Sequence, residues 1–427
     1  MLWSRQLGAG SFLLLVGKGA QMVAGLAFWL VAARTATVEQ VGLVAATVSG
    51  VMLCTQVALL GGGAAVITGL PAAGAGWRDL LDTTFTVVAG ASTVAGVCYV
   101  AVTDRLGGTL GTVFGGPGYA SVFVLAALCG TMLACLDQVS VAVGRPAQTV
   151  SRYATAGALT VAAVAVAGLG WSPLTAAALF ACWSAGPAVA CALAWRQLRR
   201  ARAYRYRPAF DARRTGQVLR VGVPYQLLTL TERLPALAVP VLVAEWASPA
   251  TAAFWYPAWM TTWGVYLVPV MVGTIQFNHT VRNPDRPAAT ASSAVRTSLL
   301  FGAAPALAVA VAAAPLLSLS GPAYADAAAV ALRVLVLGLV PYAVIQAYNA
   351  ACRATGRLRE AIGAGLVGAV LTGGATVAAG IVAGVTAMAV AWVVTLTLTA
   401  LWAAFRLAFA PRPDTAGPVP VGQRSWA

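Results

Sequence analysis

The sequence predicts an all-α, polytopic membrane protein of about 12 transmembrane helices, arranged as two six-helix lobes related by a pseudo-two-fold axis along the membrane normal. Three observations carry this reading. Of 427 residues, 60% are hydrophobic and only 9% charged, and the mean hydropathy is +0.82, a balance no water-exposed surface can absorb. Apolar runs of about twenty residues recur between Ser11 and Phe405, the length needed to cross a hydrocarbon core of ~30 Å at ~1.5 Å per residue. The basic residues, finally, gather in every second connection rather than in one patch.

The expected spans are 11–33, 41–69, 82–103, 119–143, 153–170, 174–195, 219–244, 251–275, 293–319, 327–350, 360–381 and 384–407. The first follows Arg5 and runs well past the ~7–15 residues of a signal-peptide core, so it reads as an uncleaved span. With the N-terminus on the inner side, every loop arginine except Arg34 and Arg105 falls inside, the asymmetry that fixes orientation in membranes. Both termini are then cytoplasmic, and the protein is a multi-pass component of the cell (plasma) membrane. The chain divides into an N-terminal six-helix lobe (1–195), a basic cytoplasmic linker (196–218), a C-terminal six-helix lobe (219–407) and a tail (408–427) whose Pro and Gly content predicts disorder. The linker, with Tyr204 and Tyr206 among its arginines, is expected to lie on the anionic lipids of the inner leaflet.

Composition excludes several functions. The net charge of +15 does not mark a nucleic-acid binder, because its cations are scattered through short loops. All 7 cysteines lie within or at the ends of apolar spans without a CxxC pair, so neither disulfides nor a metal site is expected. No P-loop is present, His279 is the only histidine, and the closest aqueous carboxylates, Asp79 and Asp82, read as a solvated loop end beside Arg78. No cofactor is implied, and the chain is expected to be a monomeric transporter rather than an enzyme or a channel.

An internal repeat supports two lobes. Leu7-Gly8-Ala9-Gly10 matches Leu219-Arg220-Val221-Gly222, and Gly144-Arg145 matches Gly356-Arg357, both at an offset of 212 residues. Gly116-Pro117-Gly118-Tyr119 likewise resembles Gly321-Pro322-Ala323-Tyr324. An even number of spans per half places both halves in one orientation, which suits alternating access by rocking.

The run Phe28 to Pro71, with Ala32-Ala33-Arg34, Val38-Glu39-Gln40-Val41-Gly42 and Gly61-Gly62-Gly63-Ala64-Ala65, resembles the opening of the oligosaccharide-lipid (O-antigen type polysaccharide) flippases of the multidrug/oligosaccharidyl-lipid/polysaccharide exporter superfamily. Gly321 to Tyr324, Leu332-Arg333-Val334-Leu335 and Ala354-Thr355-Gly356-Arg357 are similar to that family's tenth span and the following loop. Where family members often carry an acid before the span 2 glycines and a base after them, this chain has Leu59-Leu60 and Ile67-Thr68-Gly69. The resemblance implies a twelve-helix, two-lobe flippase of polyprenyl-diphosphate-linked sugars that hydrolyses no nucleotide.

Five ionisable residues lie well inside spans: Lys18, Asp137, Glu232, Arg233 and Arg333. Each costs ~2.5–3.5 kcal/mol at a helix centre, so such groups face a cavity or a partner. Three cations against two acids leave a surplus that a diphosphate would neutralise. Lys18, Arg233 and Arg333 are therefore candidate substrate-binding residues, and Asp137 and Glu232 candidates for coupling or charge pairing, with Glu232 expected opposite Arg333. Trp259 and Trp263 share a helical face with Trp255; the outer two, Trp255 and Trp259, fit an interfacial belt, Trp263 lies too deep for one, and Trp259 and Trp263 are candidate substrate-binding residues of a sugar path, with lipid-facing packing as the alternative. Pro224, Pro235 and Pro240 in span 7 are candidate hinge residues.

The expected function is translocation of a polyprenyl-diphosphate-linked oligosaccharide from the inner to the outer leaflet for cell-surface polysaccharide (lipopolysaccharide-type) biosynthesis. A polysaccharide polymerase or glycosyltransferase is the candidate partner. The alternative is a cation-coupled multidrug exporter, which would want free acids; a peptidoglycan-precursor flippase ranks lower because it would need fourteen spans.

Overall fold

The computed structural model describes residues 2–70, 73–145, 147–170, 173–282 and 287–409, with side chains described from residue 17 onward except at Lys18, Ala75, Asn278 and 281–288. The expected disordered tail lies, from residue 410, outside the described residues. Among those described, all regular structure is helical: α1 (Leu2–Thr35), α2 (Val38–Ala58), α3 (Gly62–Gly69), α4 (Trp77–Leu106), α5 (Thr109–Phe114), α6 (Pro117–Ala142), α7 (Ala147–Gly170), α8 (Ala176–Arg202), α9 (Ala212–Trp246), α10 (Pro249–Arg282), α11 (Pro287–Val311), α12 (Ala313–Ser318), α13 (Pro322–Leu337), α14 (Leu339–Ala354) and α15 (Leu358–Phe409).

Among the described residues, 9 helices are each long and apolar enough to cross a membrane, and α13 with α14, bent by 43° where they meet, form a further span. The 52 residues of α15 pass through Gly384 in a non-helical conformation (φ 74°), which separates the expected spans 360–381 and 384–407. With the 34-residue α1, each of the expected spans finds its helix.

The helix starts follow from local chemistry. The N–H of Gln40 donates to Thr37 Oγ1 at the head of α2, and that of Ala178 to Thr175 Oγ1 at the head of α8. Pro117 and Pro322 open α6 and α13, where a missing N–H costs nothing. Asp211 Oδ1 accepts the N–H groups of Arg213 (2.9 Å) and Arg214 (3.3 Å) and so caps α9.

Internal contacts divide the chain into two compact units, one ending at Leu230 and the other beginning at Thr231. The division falls within α9, beyond the expected end of the linker at residue 218. Two local turns repeat between the units as the 212-residue offset predicts. Gly144 (φ 72°) and Gly356 (φ 75°) both turn the chain through the left-handed region. The next residue's N–H returns to the helix it leaves, Arg145 to Ser140 O at 2.8 Å and Arg357 to Cys352 O at 2.9 Å.

In the first unit, span 2 is broken. Leu60 (φ 45°) and Gly61 (φ 79°) interrupt the helix between α2 and α3. The carbonyl of Gln56, left without an intrahelical donor in the last turn of α2, accepts Gln226 Nε2 from α9 at 2.6 Å. Beside it the backbones of Gly61 and Gly222 approach so closely that a Cβ on either would fall inside the other's main chain. The α9 helix itself continues unbroken through Pro224, Pro235 and Pro240.

The linker is strapped to the base of α4. Between α8 and α9 the chain carries no helix, and Tyr204 is buried among the rings of Trp77, Phe85 and Trp195. Its hydroxyl donates to Asp82 Oδ1 at 2.5 Å, and the N–H of Arg207 reaches the same oxygen at 3.1 Å. Thr86 Oγ1 accepts the N–H of Ala209 and pairs with the Tyr206 hydroxyl. Burial, and then the neighbouring carboxylate of Asp82, hold the Tyr204 phenol well above its ordinary pKa, so it stays a donor. The expectation that Asp79 and Asp82 form a solvated loop end is thus half right. Asp79 is exposed in an ion pair with Arg214 (3.2 Å), whereas Asp82 is buried as the anchor of the strap.

Candidate functional site: an aromatic cavity and its charges

The second unit encloses a cavity of about 70 Å³ lined by α9, α10, α14 and both halves of α15. Sequence spacing explains its walls. On α14, Tyr342, Ile345, Gln346, Asn349 and Arg353 recur at intervals of three and four and so share one face. All but Arg353 line the cavity. Trp259 and Trp263 of α10 supply a second wall, and Ala364, Gly365, Gly368, Ala369 and Thr372 on α15 supply a third made of small residues. Trp392 closes on Trp259 with ring centroids 4.5 Å apart.

The aromatic face of α10 belongs to the interior. Trp255 is fully buried and stacks on Trp259 (6.1 Å, 3°), and Trp259 is itself buried at 5% exposure. The expected interfacial belt is therefore corrected: these rings pack against Trp392 from α15 rather than against lipid headgroups. Trp263 and Trp259 do line the cavity, as a sugar path would need. An apolar cavity that takes up a benzene ring measures ~150 Å³, so at about 70 Å³ the cavity in this conformation has room for a small group and not for a sugar ring.

Glu232 sits on the cavity wall, and its partner differs from the one expected. Its Oε1 accepts Arg353 Nη2 at 2.5 Å and Asn349 Nδ2 at 2.9 Å. Arg333, expected opposite it, is exposed and donates through Nε to the carbonyl of Ala310 at 3.2 Å. The reason is helical direction. Arg333 lies on α13, before the bend at Gly338, while Arg353 lies one turn beyond Asn349 on the α14 face that meets α9. Arg233, the next residue, points away from Glu232; it is exposed and has no ion-pair or hydrogen-bond partner among the described residues.

Asp137 in the first unit is likewise paired. Tyr153 donates its hydroxyl to Oδ2 at 2.6 Å, and Arg152 Nη1 lies 3.2 Å from Oδ1. Arg152, which the topology placed among the inner loop cations, is fully buried inside α7 and also donates to Ser140 Oγ. No particular partner was expected for Asp137, although the spacing carries the signal: positions 137 and 152 are equidistant from the Gly144-Arg145 turn, hence level with each other across an antiparallel hairpin. Lys18 lies on α1, but its side chain is outside the described residues. Its neighbour Gly17 abuts Thr149 and Val150 of α7, a close helix approach of the kind small residues allow.

Among the described residues no group of three or more His, Cys, Asp and Glu could hold a metal ion.

This architecture matches solved exporters of the MOP superfamily. An inward-facing multidrug resistance MATE family transporter aligns over 92% of this chain and 98% of its own with a TM-score of 0.70 at 16% identity. The lipid II flippase MurJ in an inward closed conformation aligns over 93% of this chain and 87% of its own with a TM-score of 0.73 at 11% identity. A MOP superfamily transporter from Pyrococcus furiosus Vc1, described as having a binding pocket of reverse polarity, aligns over 93% and 94% with a TM-score of 0.61 at 15% identity. No protein-family model matches the sequence, and no curated protein matches it either. At these identities the likeness shows the fold alone: a two-lobe, all-helical architecture like that of these transporters.

Proposed function

We propose that the chain is a membrane transporter that flips a polyprenyl-diphosphate-linked oligosaccharide from the inner to the outer leaflet by alternating access, in the service of cell-surface polysaccharide biosynthesis. The observation that carries this reading is the state of the acids. Glu232 is held by Arg353 and Asn349, and Asp137 by Arg152 and Tyr153, while Arg233, next in sequence to the cavity-lining Glu232 but not itself on the cavity wall, is exposed without an ion-pair or hydrogen-bond partner among the described residues. A cationic drug would meet carboxylates already neutralised by arginine, and an anionic diphosphate would meet a cation with its donors open. Among similar folds, the lipid II flippase MurJ is a protein named for moving a lipid-linked substrate.

In this reading Arg233 contacts the diphosphate, Lys18 and Arg333 are further substrate-binding cations, each within its own unit, and Trp259 and Trp263 contact sugar once the cavity widens. Pro224, Pro235 and Pro240 supply the flexure in α9, and Asp137 and Glu232 act as charge pairs. Both termini and the 196–218 linker face the cytoplasm, where the exposed Arg205, Arg207 and Phe210 suit an anionic leaflet. The test is reconstituted flipping of a fluorescent polyprenyl-diphosphate sugar lipid by wild type, Arg233→Ala and Lys18→Ala at matched folding. Wild type should flip the lipid, and Arg233→Ala should lose most of the rate. A wild type that leaves the lipid in place and expels cationic dyes under an ion gradient would instead establish the multidrug exporter.

A further inference from the structure

Glu360, in the first turn of α15, gathers four donors from three parts of the second unit. Arg357 reaches it through Nε (2.9 Å) and Nη2 (2.6 Å), Arg406 through Nε (2.8 Å) and Tyr348 through its hydroxyl (3.1 Å). Two guanidiniums on one carboxylate leave a surplus positive charge. About a quarter of the Arg357 side chain and a third of that of Arg406 are exposed (26% and 34%). The Nη groups of Arg406 donate to nothing among the described residues.

The same turn in the first unit shows that the fold does not require this cluster. Gly144 and Arg145 reproduce the geometry of Gly356 and Arg357. The position equivalent to Glu360 at the 212-residue offset is Gln148, and Arg145 is exposed with no ion-pair partner among the described residues. The turn therefore closes without an acid or a second arginine. The cluster is also joined to the cavity. Tyr348 lines the cavity with its ring, which meets Trp402 edge-on at 5.5 Å, and its hydroxyl holds Glu360.

We propose that Arg357, Arg406 and Tyr348 form a phosphate-ester site at the mouth of the second unit's cavity, with Glu360 as the internal anion that occupies part of their donors and competes with the ligand for them. The inference deepens the proposed function and rests on it for the identity of the ligand. Guanidinium forks match phosphate oxygens as well as they match a carboxylate, and the outward N–H groups of Arg406 are the ones left to bind. A diphosphate seated there would have its attached chain or sugar beside the tryptophan wall. The positive-inside distribution places this end of the unit at the cytoplasmic surface, where a lipid-linked substrate is made available.

The test uses the full chain in phosphatidylcholine nanodiscs, with equilibrium binding of farnesyl diphosphate and of inorganic diphosphate to wild type, Arg406→Gln, Arg357→Gln, Arg406→Lys and Glu360→Gln. Each Arg→Gln change should weaken binding by about tenfold or more, Arg406→Lys should restore part of it, and Glu360→Gln should tighten it by relieving repulsion of the incoming anion. A cluster that merely braces the helices predicts the opposite for Glu360→Gln, a loss equal to that of the arginine variants; that result, or binding unchanged in every variant, overturns the proposal. Farnesyl diphosphate binding well above inorganic diphosphate assigns the site to a lipid-linked ligand, and equal binding assigns it to the free anion. Competition by phosphatidylglycerol in the nanodisc assigns it to membrane headgroups. Flipping is measured on the same preparations. A wild type that binds and does not flip defeats the proposed function and leaves the site standing, whereas unaltered flipping and binding in Arg357→Gln and Arg406→Gln does the reverse.

Discussion

Replacing Arg152 with Met removes one half of the buried pair in the first unit while keeping side-chain length and apolar contact. Arg152 is 0% and Asp137 8% exposed at the side chain, so the stranded carboxylate cannot be rehydrated in place. Breaking such a pair from one side costs ~3–5 kcal/mol. The lower end is expected here, since Tyr153 still donates to Asp137 and the 3.2 Å contact is an ion pair without hydrogen-bond alignment. At ~2–4 °C per kcal/mol for a unit of this size, the melting temperature should fall by roughly 6–12 °C. The double variant Asp137→Leu/Arg152→Met, which removes both charges, should recover most of that loss, because an apolar pair of similar volume is as stable as a buried ion pair. The assay is size-exclusion chromatography of fluorescently tagged protein after heating, run as a double-mutant cycle. An Arg152→Met protein that melts with wild type, or a double variant no better than the single, would refute the claim that this contact neutralises Asp137.

Three further outcomes follow from local geometry. Gly338→Ala should destabilise the bend between α13 and α14, because a Cβ there would meet the Tyr266 hydroxyl and sit 3.1 Å from Leu335 O; Tyr266→Phe, which removes the clashing oxygen at the cost of its 2.7 Å bond to Leu335 O, should restore part of the melting temperature of Gly338→Ala. Gln226→Leu leaves the Gln56 carbonyl without its donor, and a cost of ~1–3 kcal/mol is expected from thermal melting. Tyr204→Phe should release the linker strap and speed trypsin cleavage at Arg205 and Arg207 several-fold. In wild type the phenol's raised pKa means that its contribution is fully present below the unfolded value of ~10 and is lost as pH rises beyond it. Trypsin protection should accordingly stay level from pH ~7 to ~9 and fall above ~10.

Much of the fold was legible because hydropathy and loop charge act locally. Twenty apolar residues must become a helix in lipid, and the spans drawn on that ground coincide with helices, down to the division of α15 at Gly384. Pairing across helices was less legible, for a reason that differs between the two acids. Asp137 and Arg152 sit on one hairpin, so their equal distance from the Gly144 turn predicts their meeting. Glu232 and Arg353 are 121 residues apart, and their contact depends on how α14 leaves the bend at Gly338, which no periodicity encodes. Arg333 was expected opposite Glu232 because it lies well inside a span, yet position along a span says nothing about azimuth, and Arg333 is exposed. The breaks behave likewise. Proline marks a lost hydrogen bond in the sequence, but α9 carries three prolines unbroken, while span 2 breaks at Leu60-Gly61, where the backbone of Gly222 and the side chain of Gln226 make the break worth forming.

Charge placement also limits how the proposed transport could be driven. In each unit the membrane-embedded acid already has an arginine of its own, Arg152 for Asp137 and Arg353 for Glu232. A coupling cation arriving at either carboxylate must displace a guanidinium, and the displaced charge then needs a new partner in a region where an uncompensated cation is costly. For Glu232 such a partner would be an incoming anion, because Arg353 is 28% exposed at the side chain and opens onto the same end of the unit as the Glu360 cluster. Anion binding and cation entry would then reinforce each other, since whatever draws Arg353 away from Glu232 frees both charges at once. The order of events is readable. If diphosphate binding raises the affinity for sodium ion or proton in wild type, and Arg353→Gln abolishes that coupling while leaving flipping of the lipid measurable, the arginine is the exchange point. Equal ion affinity with and without diphosphate would leave Arg353 as a fixed counter-charge and place the driving force outside this unit.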